Sequence, residues 1–319
     1  KEERDLVLSV VEARSPFRYY GLDPQHCVDR LEAAWAEKFG HKHTLAVNCG
    51  TAALHIVLAA MEVGPGDEVL IPGYLWISTI SAIVRLGAIP KLVDIDDTFC
   101  MSPSDLEAKI GPHTKAVMYV NMSGAPGRVA EIAAITKRHK LWMLEDSAQA
   151  IGASQNGTPS GRFGDAAIFS FQLNKNMTSG DGGMIACKDS HLFKRCAAIH
   201  DLGYGRNDAG RLDPGDERYQ LWGVGARMSE LAGAMALAQL GKVDRITGAM
   251  RTAKWRIRDA LADIDGLGFR NVIDRDGDSG PFLLTVYPDG DTCRRFTKAL
   301  QAEGLRGPEG SLACIPMSE

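Results

Sequence analysis

Leu141-Trp142-Met143-Leu144-Glu145-Asp146-Ser147-Ala148-Gln149 is an apolar run that ends in an acid pair. It reads as a buried strand leaving a sheet, with Asp146 at the edge where open α/β sheets bind ligands. Working outward, seven short β-rich runs (44–48, 68–72, 91–94, 116–121, 141–145, 166–171 and 183–187) mark strands. Helical patterns at 51–61, 76–86, 104–110 and 128–139 separate the first five. This alternation predicts an α/β domain with a mostly parallel, seven-stranded sheet. The last two strands lack an intervening helix, so one antiparallel member is expected.

After Cys187 the pattern turns helical at 192–199, 229–239 and 242–264, followed by a strand at 282–286 and a helix at 292–303. The domain reading is an N-terminal segment (1–25), a large domain (26–240) and a smaller α+β C-terminal domain (241–319) that is incomplete. Polar, glycine-containing loops are expected at 204–216 and 274–280. The chain opens on Lys1 without a methionine and ends in mid-pattern at Glu319, so further segments are expected beyond both ends.

Composition narrows the classes of function. With 319 residues, 45% hydrophobic and 24% charged, the chain can bury a substantial core. A net charge of −4 offers no electrostatic footprint for nucleic acid or an anionic membrane, which leaves small molecules as partners. The seven cysteines are scattered without a C-x-x-C pair, and the eight histidines lack metal-ligand spacing. No metal site, signal peptide or membrane span is read, and a reducing cytoplasm is the expected setting.

Four segments carry chemistry. Cys49-Gly50-Thr51-Ala52-Ala53 joins the first strand to a helix, where free amides suit a phosphate, although such turns are ordinarily just turns. Asp146 and Glu145 are neighbours on a strand, so only one of them points into a given site. A strand-end aspartate is often a cap, and a lysine is usually a solvated charge. Lys175, in Gln172-Leu173-Asn174-Lys175-Asn176-Met177-Thr178-Ser179-Gly180-Asp181-Gly182-Gly183, gains meaning from Asp146: together they suit a covalently held pyridine aldehyde. Phe169-Ser170-Phe171 would supply a hydroxyl for a phosphate oxygen.

Taken in order, these segments resemble the DegT/DnrJ/EryC1/StrS sugar aminotransferases, which are pyridoxal-phosphate enzymes of fold type I. Asn48-Cys49-Gly50-Thr51-Ala52-Ala53-Leu54, Gly64-Pro65-Gly66-Asp67-Glu68-Val69, Glu145-Asp146-Ser147-Ala148-Gln149-Ala150, Phe163-Gly164-Asp165, Phe169-Ser170-Phe171 and the Lys175 loop carry the resemblance, from about residue 17 to 240. It implies that Lys175 is catalytic, forming the internal aldimine with pyridoxal 5′-phosphate and then carrying protons. It further implies that Asp146 pairs with the pyridine nitrogen and that Gln149 lies near the phenolic oxygen. Trp76 would stack on the ring, although a core tryptophan is the plainer reading. Gly50, Thr51, Ala52 and Ser170 would take the phosphate.

Two positions depart from the family pattern. Gly223-Val224-Gly225-Ala226-Arg227 has glycine where an asparagine usually crosses a dimer interface to the partner's phosphate, and Asn121 replaces a frequent histidine. Phe17-Arg18-Tyr19-Tyr20 resembles a subgroup acting on eight-carbon sugar acids, with Arg18 as a carboxylate contact. The small residues of helix 229–239 suit close packing, and the resemblance implies a place at the dimer contact. The reading is a homodimeric aminotransferase of sugar or secondary-metabolite biosynthesis. It would move an amino group from glutamate or glutamine to a keto sugar, sugar acid or cyclitol by ping-pong chemistry. The alternatives are a lyase, dehydratase or replacement enzyme on the same fold, motivated by Gly225, and a non-catalytic regulator that kept the pocket.

Overall fold

A computed structural model describes residues 1–207 and 211–305. The chain forms a seven-stranded sheet: β1 (His43–Val47), β2 (Glu68–Pro72), β3 (Ile89–Val93), β4 (Thr114–Val120), β5 (Trp142–Asp146), β6 (Ala166–Ser170) and β7 (Gly183–Cys187). The spatial order is β1-β7-β6-β5-β4-β2-β3. Only β7 runs against the rest, pairing antiparallel with both β1 and β6, as the missing crossover helix between β6 and β7 requires.

Helices cover both faces: α1 (Glu2–Glu12), α2 (Cys27–Phe39), α3 (Gly50–Ala60), α4 (Ile77–Val84), α5 (Pro103–Lys109), α6 (Val129–His139), α7 (Ser190–His200) and α8 (Glu230–Leu240). The pleat sorts the core into two layers. Leu144 and Ile168 face Leu54, Val57 and Ile83 of α3 and α4, whereas Phe169 and Met184 face Val28, Leu31 and Trp35 of α2. Met143, Val117 and Tyr119 pack with Leu106 and Ile132 of α5 and α6 on that second face. Burying each such large apolar side chain contributes about 1.5–3 kcal/mol.

Beyond α8 come the long helix α9 (Val243–Ala260), a two-stranded pair Gly268–Phe269 with Thr285–Val286, and α10 (Gly290–Ala302). The strand expected at 282–286 is thus confined to its last two residues, and Phe282 is largely exposed. Residues 208–210 of the predicted loop and 306–319 of the predicted C-terminal domain lie outside the described residues. No helix among the described residues is long and apolar enough to cross a membrane.

The small-residue helix α8 packs inside the chain, against α1 and α2. A Cβ on Gly233 would come within 2.6 Å of Val28 Cγ2, and Ala234 and Ala236 are fully buried. Intrachain packing therefore accounts for these small residues. Glu230, at the start of α8, accepts from the amides of Cys27 and Val28 at 2.6 and 3.1 Å, where a carboxylate complements the α2 N-terminus.

Candidate active site

The acid pair divides its work between the two faces of the sheet. Glu145, fully buried, accepts from the amides of Phe163 (2.7 Å), Gly164 (2.8 Å) and Gly161 (2.9 Å) and from Asn121 Nδ2 (3.0 Å). That is a structural clamp, and it explains the Phe163-Gly164-Asp165 run: a Cβ on Gly164 would sit 2.7 Å from Met143 O, and Asp165 accepts from Met143 N. Asn121 is drawn into the same buried network, donating also to Ser147 Oγ.

Asp146 points to the opposite face. Its Oδ1 accepts from Ala148 N at 3.0 Å and its Oδ2 from the Thr79 hydroxyl at 3.2 Å, Thr79 standing on the first turn of α4. Burial pushes the Asp146 carboxyl above the ordinary range, opposed by the Ala148 amide, the charge of Lys175 and the Thr79 hydroxyl. Lys175 is lowered by burial and raised by Asp146, so the two groups share one electrostatic environment. They form no ion pair, and Lys175 Nζ has no partner among the described residues. A desolvated, unpartnered amine is primed as a nucleophile.

The Lys175 loop is held rigidly from both ends. Phe171 N donates to Gly182 O and Ser179 N to Phe171 O, at 2.9 and 3.0 Å. Next to the lysine, Asn176 Nδ2 donates to Ile151 O at 3.2 Å, and Met177 is fully buried in the core. Lys175 itself is only half-buried.

Ser170, at the end of β6, lies against the start of α3, where a Cβ on Gly50 would meet Ser170 Cβ at 2.9 Å. Cys49 caps this helix, its Sγ accepting from Ala52 N at 3.3 Å. The Gly50 and Thr51 amides have no acceptor among the described residues. Two free N–H groups at a helix N-terminus beside a hydroxyl make an anion cradle, while the Ala52 amide is already engaged.

Gln149 Oε1 accepts from Ser123 N at 2.8 Å, so its Nε2 remains a donor without a partner among the described residues. Trp76 is 68% exposed at the N-cap of α4, which excludes the core-tryptophan reading and leaves its face free. The residues missed by sequence reasoning are Thr79 and Ser123. Thr79 follows Trp76 by three residues, a spacing that puts both on one side of the first helical turn.

Arg18 corrects the carboxylate expectation. It is buried, and its Nη2 is bonded to Asp29 at 3.2 Å and to Glu32 at 3.0 Å, so the chain's own carboxylates already occupy it. Among the described residues a Cβ on Gly225 would meet only Arg227 Nη2, at 3.7 Å.

The model of the DegT/DnrJ/EryC1/StrS aminotransferase family matches residues 23–307. GDP-perosamine synthase of Caulobacter vibrioides is 40% identical over 229 residues, which are 70% of this chain and 59% of that protein. The matched stretch is thus less than two thirds of that relative's length. Among solved structures, 3-amino-5-hydroxybenzoic acid synthase superposes with a TM-score of 0.86 at 29% identity, covering 95% of this chain and 78% of that one. The aminotransferase TlmJ of Streptoalloteichus hindustanus gives 0.85 at 26%, covering 95% and 80%.

Proposed function

The chain belongs to the DegT/DnrJ/EryC1/StrS aminotransferase family, and on that premise we propose that it is a pyridoxal-phosphate-dependent sugar aminotransferase with Lys175 as its catalytic residue. The observation that carries this reading is the electrostatic influence that buried Asp146 and the partnerless amine of Lys175 exert on each other, with the Ser170 hydroxyl of β6 set against the free amides of α3.

The cofactor fits the residues present. Gly50 and Thr51 amides and the Ser170 hydroxyl would hold its phosphate, with Ala52 lining the cradle. Asp146 would hold the proton on the pyridine nitrogen, Gln149 Nε2 would donate near the phenolic oxygen, and Trp76 would cover the ring face. When bound, pyridoxal phosphate supplies an electron sink for charge developing on the substrate carbon. Lys175 Nζ, able to lose its proton because burial disfavours its charge, would first bind the cofactor's aldehyde and then serve as the base and acid at the substrate carbon. Thr79 and Ala148 keep the Asp146 carboxylate aimed and oppose the upward push of burial on its pKa.

The amino donor is glutamate or glutamine, which leaves as a keto acid before the ketone enters the same site, a ping-pong order. The acceptor is a keto sugar. The relative's name, GDP-perosamine synthase, favours a GDP-linked sugar over a free sugar acid or cyclitol. We propose a homodimer, a large domain over 26–240 and a smaller domain from 241 onward.

Donor consumption tests the reaction. Glutamate or glutamine with a GDP-linked keto sugar should yield one keto acid per aminated sugar, and Lys175→Ala should abolish both. Loss of the sugar ketone without keto acid formation would replace transamination with elimination chemistry.

A further inference from the structure

The turn at residues 122–125 lies between the site and a distant part of the chain. Ser123 and Gly124 both adopt left-handed backbone, with φ of 55° and 81°. A left-handed serine is disfavoured unless its surroundings hold it there. The surroundings are supplied by residues 270–281. Arg270 is buried and donates from Nη1 to Met122 O at 2.6 Å and from Nη2 to Ala125 O at 2.9 Å. Ser279 donates to Gly124 O from both its amide and its hydroxyl, each at 2.9 Å. Pro281 closes over Gly124, where an added Cβ would meet Pro281 Cδ at 2.4 Å.

Arg270 has no carboxylate partner among the described residues; besides Cys100 Sγ, 3.8 Å from Nη2, its buried guanidinium is held by two backbone carbonyls. One of these belongs to the peptide unit whose other end is Ser123 N–H. That unit is planar, so fixing Met122 C=O fixes the direction of Ser123 N–H. Ser123 N in turn donates to Gln149 Oε1 at 2.8 Å. A guanidinium at one end of such a chain polarises the peptide and then the glutamine amide, which strengthens the outward Nε2 donor.

We infer that Arg270, with Ser279, is a positioning residue for the active site: it acts through the Met122–Ser123 peptide to orient Gln149 and sharpen its donor toward the bound cofactor. What Nε2 meets rests on the proposed function; the clamp on the turn does not.

The test is the pH titration of the visible absorbance band that depends on Lys175, recorded in the holoenzyme. Arg270→Met should raise its midpoint by about half a pH unit to one unit, the scale of one weakened hydrogen bond to a charged group. Arg270→Lys should restore part of the shift. In a Gln149→Ala background, Arg270→Met should add nothing. An equal shift in both backgrounds, or no shift with Gln149 present, would overturn the inference. Should Arg270→Met fail to fold, Ser279→Ala gives the same comparison with a smaller expected shift. In the cofactor-free protein, Arg270→Met should accelerate hydrogen exchange at Ser123, and unchanged exchange would overturn the clamp. A parent protein with no Lys175-dependent band would overturn the functional reading, and with it the role of Nε2, while the exchange result would stand by itself.

Discussion

Replacing Glu145 with glutamine should strike stability while replacing its neighbour Asp146 with asparagine should strike chemistry. Glu145 accepts four hydrogen bonds, two at each carboxylate oxygen: Phe163 and Gly164 at Oε1, Gly161 and Asn121 at Oε2. A glutamine can keep the Oε1 pair, but its amide nitrogen then confronts the Gly161 amide and Asn121 Nδ2. Asn121 Oδ1 has no partner among the described residues, so Asn121 can turn its amide over and accept instead, but its Nδ2 then takes the place that offers no acceptor. Gly161 N–H remains opposed and Asn121 Nδ2 is left without an acceptor, together at about 2–4 kcal/mol, and the retained bonds lose their charge assistance. With a urea slope near 3 kcal/mol per molar, the unfolding midpoint should fall by roughly 1 M at unchanged slope. The cofactor band of the folded variant should persist. A midpoint within about 0.2 M of the parent, or loss of the band from a stably folded protein, would refute this division of roles.

Asp146→Asn should leave the urea midpoint nearly in place. It removes the charge that raises Lys175, so the pH at which Lys175 becomes reactive toward pyridoxal phosphate should move down; an upward move would contradict the pairing. Thr79→Val deletes one hydrogen bond to Asp146 Oδ2, and single-turnover rates with the amino donor should fall about five-fold, the worth of roughly 1 kcal/mol. His41 and His200 are buried neutral, each pushed down to about 4 from 6.5, with burial the foremost cause. Their unfolded forms bind protons first as pH falls, so the stability they permit is complete above 6.5 and is lost toward 4. Unfolding midpoints should therefore drop steeply across that window, less so in His200→Gln; an unaltered pH slope in that variant would count against it. Gly225→Asn has open space and should unfold within about 0.5 kcal/mol of the parent. Equilibrium dialysis should then show tighter cofactor retention if residue 225 reaches a partner's phosphate, and unchanged retention if it does not.

Most strands were legible because the chemistry of a buried parallel strand is written locally, as an apolar run with a polar exit. The third strand begins at Ile89, two residues before the expected start, because Pro90 lacks an amide hydrogen and reads as a strand breaker. It is tolerated because β3 is the edge of the sheet. Helices α1 and α2 escaped notice for a related reason. α2 starts from His26 in a left-handed conformation, without a side-chain cap, and its anchor is Glu230, far along the chain. In the candidate site, Asp146 and Ser170 could be placed from strand ends, and Lys175 from the polar, glycine-rich loop that follows, read together with Asp146. The split between Glu145 and Asp146 was expected from the pleat, but which acid faced inward was set by residues 161–164. The Arg270 clamp left no local signal, since it depends on two segments that meet only in the fold.

Chemical trapping of the cofactor tests the role of Lys175 directly. The purified protein, loaded with pyridoxal 5′-phosphate and reduced with borohydride, would be digested and its peptides mapped by mass spectrometry. A phosphopyridoxyl group is expected on the peptide containing Lys175 and none in Lys175→Ala. A label on a different lysine, or equal labelling of the variant, would contradict it.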